Sequence, residues 1–292
     1  MLISVILVNY NDRPHLGDCL RAARADLAGL DAEIIVVDNA STDGSRDFLA
    51  LPDAGVRLIA NADNAGFAAG NNAGIRASVG DALLFLNTDT AVRPGAIRRL
   101  LETLHSDPAI DAVGPALIHP DGSFQVSFGR TVSFWSQFVQ KTILNPFYKR
   151  ALPRRKKPLR TGWLSAACML WRADAVRRVG GFDETFFIYF EDIDMCRRLA
   201  RTGAKLVFEP RARVVHVGGA STSVRADESR FEYRRSQLRF YAKHASPISL
   251  AFLRFYLRAV ARALAVRGAF RGDEGRALRE KYRRLLRERI AG

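Results

Sequence analysis

The chain has 292 residues, 48% hydrophobic and 26% charged, enough for one large domain or two ordinary ones and too apolar for a disordered segment. Its formal charge of +15 is uneven: residues 1–122 hold 9 Lys+Arg against 16 Asp+Glu, residues 123–173 hold 10 against none, and residues 234–292 hold 16 against 4. The scattered Cys19, Cys168 and Cys196 exclude a disulfide framework or a zinc finger and suit a reduced cytosol.

The opening MLISVILVNYNDRP has an apolar run without a basic leader or a small-residue cleavage site, and it predicts a buried first strand at 2–8. EIIVVD (33–38), VRLIA (56–60) and ALLFLN (82–87) are further short apolar runs bounded by turn residues, with helical patterns near 13–28, 42–51 and 66–79 between them. Such alternation predicts an α/β fold with a mostly parallel central sheet, Rossmann-like and covered by helices on both faces. Ligands bind at the carboxyl ends of such strands, and the residues there are NYND (9–12), DNASTDGS (38–45), NADNAGFAAGNN (61–72) and NTDT (87–90). The turn after the first strand lacks G-x-G-x-x-G, which argues against a nicotinamide or flavin enzyme. Gly66 and Gly70, after the third strand, can open a helix towards phosphate or sugar, although Gly and Asn also serve ordinary turns. Asp89, two residues after Asn87, can offer oxygen to a divalent cation or form an Asx turn.

Further along, residues 131–160 interleave aromatics with cations, which suits a solvated loop or an acceptor-side loop at an anionic membrane surface. FFIYFEDIDMCRR (186–198) ends an apolar run in Glu191, Asp192 and Asp194. Carboxylates in that setting sit at the mouth of a site or at a helix N-terminus, where the macrodipole favours them. His216 closes the strand-like ARVVH, and His15, His105, His119 and His244 have no comparable context. PISLAFLRFYLRAVARALAV (247–266) places Arg254, Arg258 and Arg262 on one helical face. Central arginines argue against a spanning helix, and either an interfacial helix or one packed on protein fits better, followed by an Arg-rich amphipathic tail at 273–290.

Six motifs in order, VILVNYN, VVDNASTDGS, NAGFAAGNNAGI, LFLNTDT, GGFDETFFIYFEDIDMCRRL and VVHVGGAST, together resemble glycosyltransferase family 2, nearest its bacterial rhamnosyltransferase-like members, over about residues 1–245. The resemblance implies a GT-A fold and inverting transfer of a sugar from a nucleotide diphosphate donor. It implies donor contacts from Asn9, Tyr10, Asp38, Asn64, Gly66, Asn71, Asn87 and Asp89, with Asp38 holding the base. Asp89 matches the last acid of the family's D-x-D metal motif, whose first position here is Asn87. His216 matches a position where histidine completes the site for Mg²⁺ or Mn²⁺. Asp192 matches the catalytic base, with Glu191 in a supporting catalytic and acceptor-binding role. Asp194 is expected to bind acceptor, orient the loop or cap a helix over 196–201. Trp163 is expected either to stack on the acceptor sugar or to fill the core.

The expected organisation is a domain at 1–245, with a nucleotide-binding half (1–115) and an acceptor half (116–245), followed by a basic helical tail at 246–292. The expected partners are a nucleotide-diphosphate sugar, dTDP-rhamnose before UDP- or GDP-sugars, a glycan or polyprenyl-diphosphate-linked acceptor, and an anionic membrane surface on the cytoplasmic side. A catalytically inactive module that binds nucleic acid through the basic stretches is the competing reading. It is disfavoured because the functional edge carries Asp38, Asp89 and Asp192, and no nucleic-acid-binding motif appears.

Overall fold

The computed structural model of the chain describes residues 1–129, 155–218 and 226–268, together with Glu280 and Leu285. The basic loop expected at 131–160 lies outside the described residues up to 154, as does the amphipathic tail at 273–290 apart from those two positions.

The predicted alternation is realised at the N-terminus. β1 (Ile3–Asn9), α1 (Arg13–Leu27), β2 (Ala32–Asp38), α2 (Ser45–Leu49), β3 (Arg57–Ala60), α3 (Phe67–Ala77) and β4 (Ala82–Leu86) follow one another, and β1 to β4 pair in parallel. There follow β5 (Thr90–Val92), α4 (Ala96–His105), β6 (Ile110–Ile118), β7 (Phe124–Gln125), β8 (Phe128–Gly129), β9 (Leu159–Thr161), β10 (Trp163–Leu164), β11 (Cys168–Arg172) and α5 (Ala173–Arg178). The chain continues through α6 (Glu191–Ala200), β12 (Lys205–His216), α7 (Ala226–His244) and α8 (Pro247–Gly268).

The main sheet has the order β3-β2-β1-β4-β11-β6-β12-β5. It is parallel in its first four strands and mixed beyond them, because β11 runs antiparallel between β4 and β6 and β5 runs antiparallel to β12. The expectation of a mostly parallel sheet therefore holds for the first four strands only. β6 straddles residue 115, so the two expected halves share one continuous sheet.

Successive side chains on a strand point to opposite faces, and the buried runs use both. Ile3, Val5 and Leu7 of β1 with Leu84 and Leu86 of β4 pack under α1 and α4. Ile6, Leu83 and Phe85 pack with Met169 and Trp171 of β11 beneath α3, α5 and α6. Burying each such side chain contributes roughly 1.5–3 kcal/mol. A third cluster joins Phe186 and Phe190 to Leu238, Phe240 and Tyr241 of α7 and Leu253 and Leu257 of α8. One face of α8 therefore packs on protein, while Ile248 (69%) and Phe255 (68%) stay exposed along with Arg258 and Arg262.

Candidate active site

The carboxyl ends of β1, β2 and β3 meet in a network of short polar side chains. Asn9 and Asp38 are level in the β1–β2 register, and Asn9 Nδ2 donates to Asp38 Oδ2 (2.8 Å) and to Ser41 Oγ (2.9 Å). The other Asp38 oxygen accepts from the Ser41 N–H (3.0 Å) and Arg46 Nε (3.3 Å). Asp38 is thus wholly buried and shaped from within, and Arg46 reaches on to the Asn61 carbonyl at 2.7 Å. Asn39 extends the network: it accepts from Asn61 Nδ2 (2.8 Å) and donates to the Gly66 carbonyl (3.0 Å) and Asn64 Oδ1 (3.3 Å). Asn64 in turn holds the Gly66 N–H (3.1 Å). Tyr10 is partly exposed beside this network, whereas Asn71 is buried and returns its amide to the Phe67 carbonyl of its own helix (2.9 Å).

Gly66 has φ 91° and ψ 175°, a region open essentially to glycine alone. A Cβ there would meet the Phe187 carbonyl oxygen at 2.5 Å, and that same oxygen accepts from the Phe67 N–H at 2.7 Å. The turn that opens α3 is thereby locked to the aromatic run that leads to Asp192.

Asp89 and His216 are brought together by the antiparallel β5–β12 pairing, with 3.3 Å between Asp89 Oδ1 and His216 Nε2. Asp89 Oδ2 accepts from the Gly218 N–H at 3.1 Å. Burial alone would raise the Asp89 carboxyl, but the His216 hydrogen bond and charge and the Gly218 N–H outweigh it and hold the group below its ordinary value. His216 Nδ1 faces Gln125 Oε1 at 2.9 Å. That amide orients the ring, whose Nε2 faces the Asp89 carboxylate. A cation can take the place of the proton between this imidazole and carboxylate. Asn87 Oδ1, two residues before Asp89, is a further buried oxygen with no partner. One carboxylate, one imidazole and one amide oxygen fit Mg²⁺ or Mn²⁺, which complete their shells with water and substrate phosphate.

Asp192 lies in the first turn of α6, which starts at Glu191, five residues earlier than the helix expected over 196–201. The helix-start reading of these acids is therefore correct as geometry, and Asp192 nonetheless stays partly exposed. Its Oδ2 accepts from the Ala166 N–H (3.1 Å) and its Oδ1 from the Ile193 N–H (2.7 Å). The next residue, Ala167, accepts the Asn87 N–H with its carbonyl at 3.0 Å, so one dipeptide ties the β4 exit to the α6 carboxylate. Burial pushes the Asp192 carboxyl up to about 6 against those two N–H groups. Glu191 is more deeply buried, and burial with the charges of Asp192 and Asp194 holds its carboxyl well above the usual range. The pair thus sets a Glu191 carboxyl held well above its usual range beside an Asp192 that ionises at about 6, towards the range where a general base is most useful.

A family model described as glycosyl transferase family 2 matches residues 4–180. The chain belongs to glycosyltransferase family 2. It is 30% identical over 302 residues, covering 95% of this chain and 97% of the relative, to N-acetylglucosaminyl-diphospho-decaprenol L-rhamnosyltransferase of Mycobacterium tuberculosis, which places it in the rhamnosyltransferase-like subgroup. It is 31% identical over 199 residues to pre-mycofactocin glycosyltransferase of Mycobacterium tuberculosis, covering 68% of this chain and 39% of the relative. The fold matches the mannosyltransferase of Pyrobaculum calidifontis in complex with GDP-Man and Mn²⁺ (TM-score 0.59, 18% identity, 97% of this chain and 84% of that one). It also matches GalNAc-T7 with UDP, GalNAc and Mn²⁺ (TM-score 0.58, 16% identity, 83% and 50%). The fold is GT-A, and the protein is a glycosyltransferase.

For this glycosyltransferase the structure bears on the alternatives expected of Asp194 and Trp163. Asp194 does not face an acceptor. Its side chain is wholly buried, Oδ1 meets His244 Nε2 (2.6 Å) and Lys243 Nζ (2.8 Å), and Oδ2 meets Arg198 Nε (2.7 Å). Burial would raise the carboxyl, yet these partners hold it down at about 2. Asp194 therefore fastens α7 to α6. His244, which the sequence left without context, is one of its partners. Trp163 packs against both the α6-side core and the α7–α8 cluster, with its buried Nε1 unpartnered.

Other polar residues, not singled out individually in the sequence, tie the site together. Asn72 clamps the GGFDE segment, donating to the Phe182 carbonyl (2.8 Å) and Glu184 Oε1 (2.9 Å) and accepting the Phe182 N–H (2.9 Å). Asp12 bridges His15 Nδ1 (2.6 Å) and Thr88 Oγ1 (2.7 Å), joining the exits of β1 and β4. Asn39 had a signal, its place directly after Asp38 at a strand end; Gln125 had none.

Proposed function

We propose that the protein is an inverting rhamnosyltransferase that moves the sugar of a nucleotide diphosphate donor, dTDP-rhamnose before UDP- or GDP-sugars, onto a hydroxyl of a polyprenyl-diphosphate-linked N-acetylglucosamine in cell-envelope glycan synthesis. Full-length similarity to the mycobacterial enzyme of that name supports the sugar and acceptor. The observation that carries the mechanism is Asp192: a carboxylate oriented by the Ala166 and Ile193 N–H groups, partly open, and ionising at about 6.

Asp192 accepts the proton of the acceptor hydroxyl as its oxygen bonds to the anomeric carbon, while the bond from that carbon to the donor phosphate breaks and nucleoside diphosphate leaves. The network around Asp38, Asn39 and Arg46 positions the base and ribose. Asp89 and His216 would hold a Mg²⁺ or Mn²⁺ ion, whose chemistry is to offset charge on the departing diphosphate. Burial of Glu191 disfavours a second negative charge beside Asp192. α8 presents Ile248 and Phe255 beside Arg258 and Arg262 to an anionic membrane face. No helix among the described residues is long and apolar enough to cross a membrane. The setting proposed, peripheral and on the cytoplasmic side, rests on that exposed face of α8.

The test is nucleoside diphosphate release from a panel of nucleotide sugars with Mn²⁺ and a lipid-linked acceptor, beside Asp192→Asn. Release from one donor, reduced by about 100- to 10,000-fold in the variant while nucleotide binding persists, supports the reading. Turnover that survives the substitution refutes Asp192 as base.

A further inference from the structure

Asp192 is connected to the exposed face of α8 by a line of rings and one cation on α7. Tyr233 of α7 meets Tyr189 edge-on (5.7 Å between centroids) and Phe190 at a tilt (5.2 Å), the two residues directly before Glu191 and Asp192. Burial raises the Tyr233 hydroxyl, and it also feels the charges of Arg234 on one side and Asp192 on the other. Arg234 comes next. Its guanidinium lies 5.4 Å from the Tyr233 ring centroid and 5.3 Å from that of Tyr256 on α8. It donates to Gln237 Oε1 at 2.8 Å and stands 3.4 Å from the Tyr256 hydroxyl.

Among the described residues no carboxylate pairs with Arg234. By contrast Arg198 pairs with Asp194, Lys243 with Asp183 and Asp194, and Arg46 with Asp38. A guanidinium held between two tyrosine rings keeps its charge and most of its five donors, and the fork they form fits phosphate oxygens. Beyond it, Tyr256 (41% exposed) leads to Phe255 and Ile248 on the open face of α8. The order in space is a base, an aromatic wall, an unmatched cation and an apolar surface. A lipid-linked sugar has the same order: hydroxyl, ring, diphosphate, hydrocarbon.

We propose that Arg234, between Tyr233 and Tyr256, binds the diphosphate of the lipid-linked acceptor, with the exposed face of α8 taking the first isoprene units. This rests on the acceptor reading given above and assigns the part of the acceptor that Asp192 does not touch. The shared chemistry is a phosphate anion on an apolar chain, and an isoprenoid diphosphate matches it better than a bilayer headgroup because the cation lies beside the base-bearing loop rather than out on α8.

The experiment is calorimetric titration of farnesyl diphosphate into the full chain and into Arg234→Ala and Arg234→Lys, with inorganic diphosphate and phosphatidylglycerol vesicles as the other arms and thermal melts as the folding control. Saturable binding of farnesyl diphosphate that weakens about 10- to 100-fold in Arg234→Ala and less in Arg234→Lys is expected. No binding by the wild-type chain, or equal binding by a folded Arg234→Ala, overturns the proposal. So does inorganic diphosphate binding as tightly as the lipid, which would make this a free-anion site, or a loss confined to vesicles, which would assign Arg234 to headgroups. The readout needs no turnover, so it separates from the functional reading. Arg234-dependent binding without sugar transfer would sink the transfer scheme alone, whereas transfer with Arg234-indifferent binding would sink this site alone.

Discussion

Replacing Asp194 by Asn removes one charge from a point where two helices are fastened, and the cost can be worked from the carboxyl itself. In the fold the group ionises at about 2 against an ordinary 3.8, and it is wholly buried. At about 1.4 kcal/mol for each tenfold change in acidity, the charged form is favoured by roughly 2 kcal/mol. Because the folded value lies below the unfolded one, that stabilisation is full above pH 3.8 and is lost as pH falls through about 2. The substitution also leaves cations short of a partner. Lys243 keeps Asp183, and Arg198 keeps the Val179 and Gly181 carbonyls, so the total should sit near the lower end of the ~3–5 kcal/mol seen when buried pairs are broken. Melting should fall by about 6–12 °C at pH 7. Scanning fluorimetry of both proteins from pH 7 down to 3 gives the check, with the gap expected to narrow below pH 4. A gap under about 1 °C at pH 7, or one that widens in acid, would refute the argument.

With Asp192 as base, kcat/KM should rise about tenfold per pH unit below about 6 and level off above it; a flat profile between pH 5 and 7 would detach that carboxylate from the rate. Gly66→Ala should cost about 1–3 kcal/mol from backbone strain alone, and more from the collision with Phe187, read as a lower denaturant midpoint; a wild-type midpoint would show that the interlock yields freely. Gln125→Ala, which removes the acceptor behind His216, should weaken Mn²⁺ binding roughly 10- to 100-fold by titration. A change below twofold would take His216 out of the metal site.

Legibility followed the range of the interactions. β1 to β4 and the helices between them could be read to within a few residues because continuous apolar runs are a local signal, as are the polar residues at their exits. The position of β11 between β4 and β6 could not, since CMLWR fits a parallel, an antiparallel or an edge strand equally well. The acids of EDID were legible as a cluster, but their division of labour was not. Asp194 is set apart from Asp192 by Lys243 and His244, about fifty residues away, and nothing in the local pattern foretells those partners. α8 shows the same limit: its cationic face was visible, but which apolar residues would meet α7 was decided by Phe240 and Tyr241 across the gap.

The place of β11 in the sheet also sets the timetable of synthesis. β4 is complete at Leu86, but the strand that covers its open edge ends at Arg172. At about 5–20 residues per second, roughly 4–17 s of translation separates the two. Throughout that interval Leu83, Leu84 and Phe85 line a hydrogen-bonding edge with no neighbour, a template for pairing with another nascent chain. Codon changes that slow translation between residues 87 and 167 should therefore lower the soluble yield without altering a single amino acid.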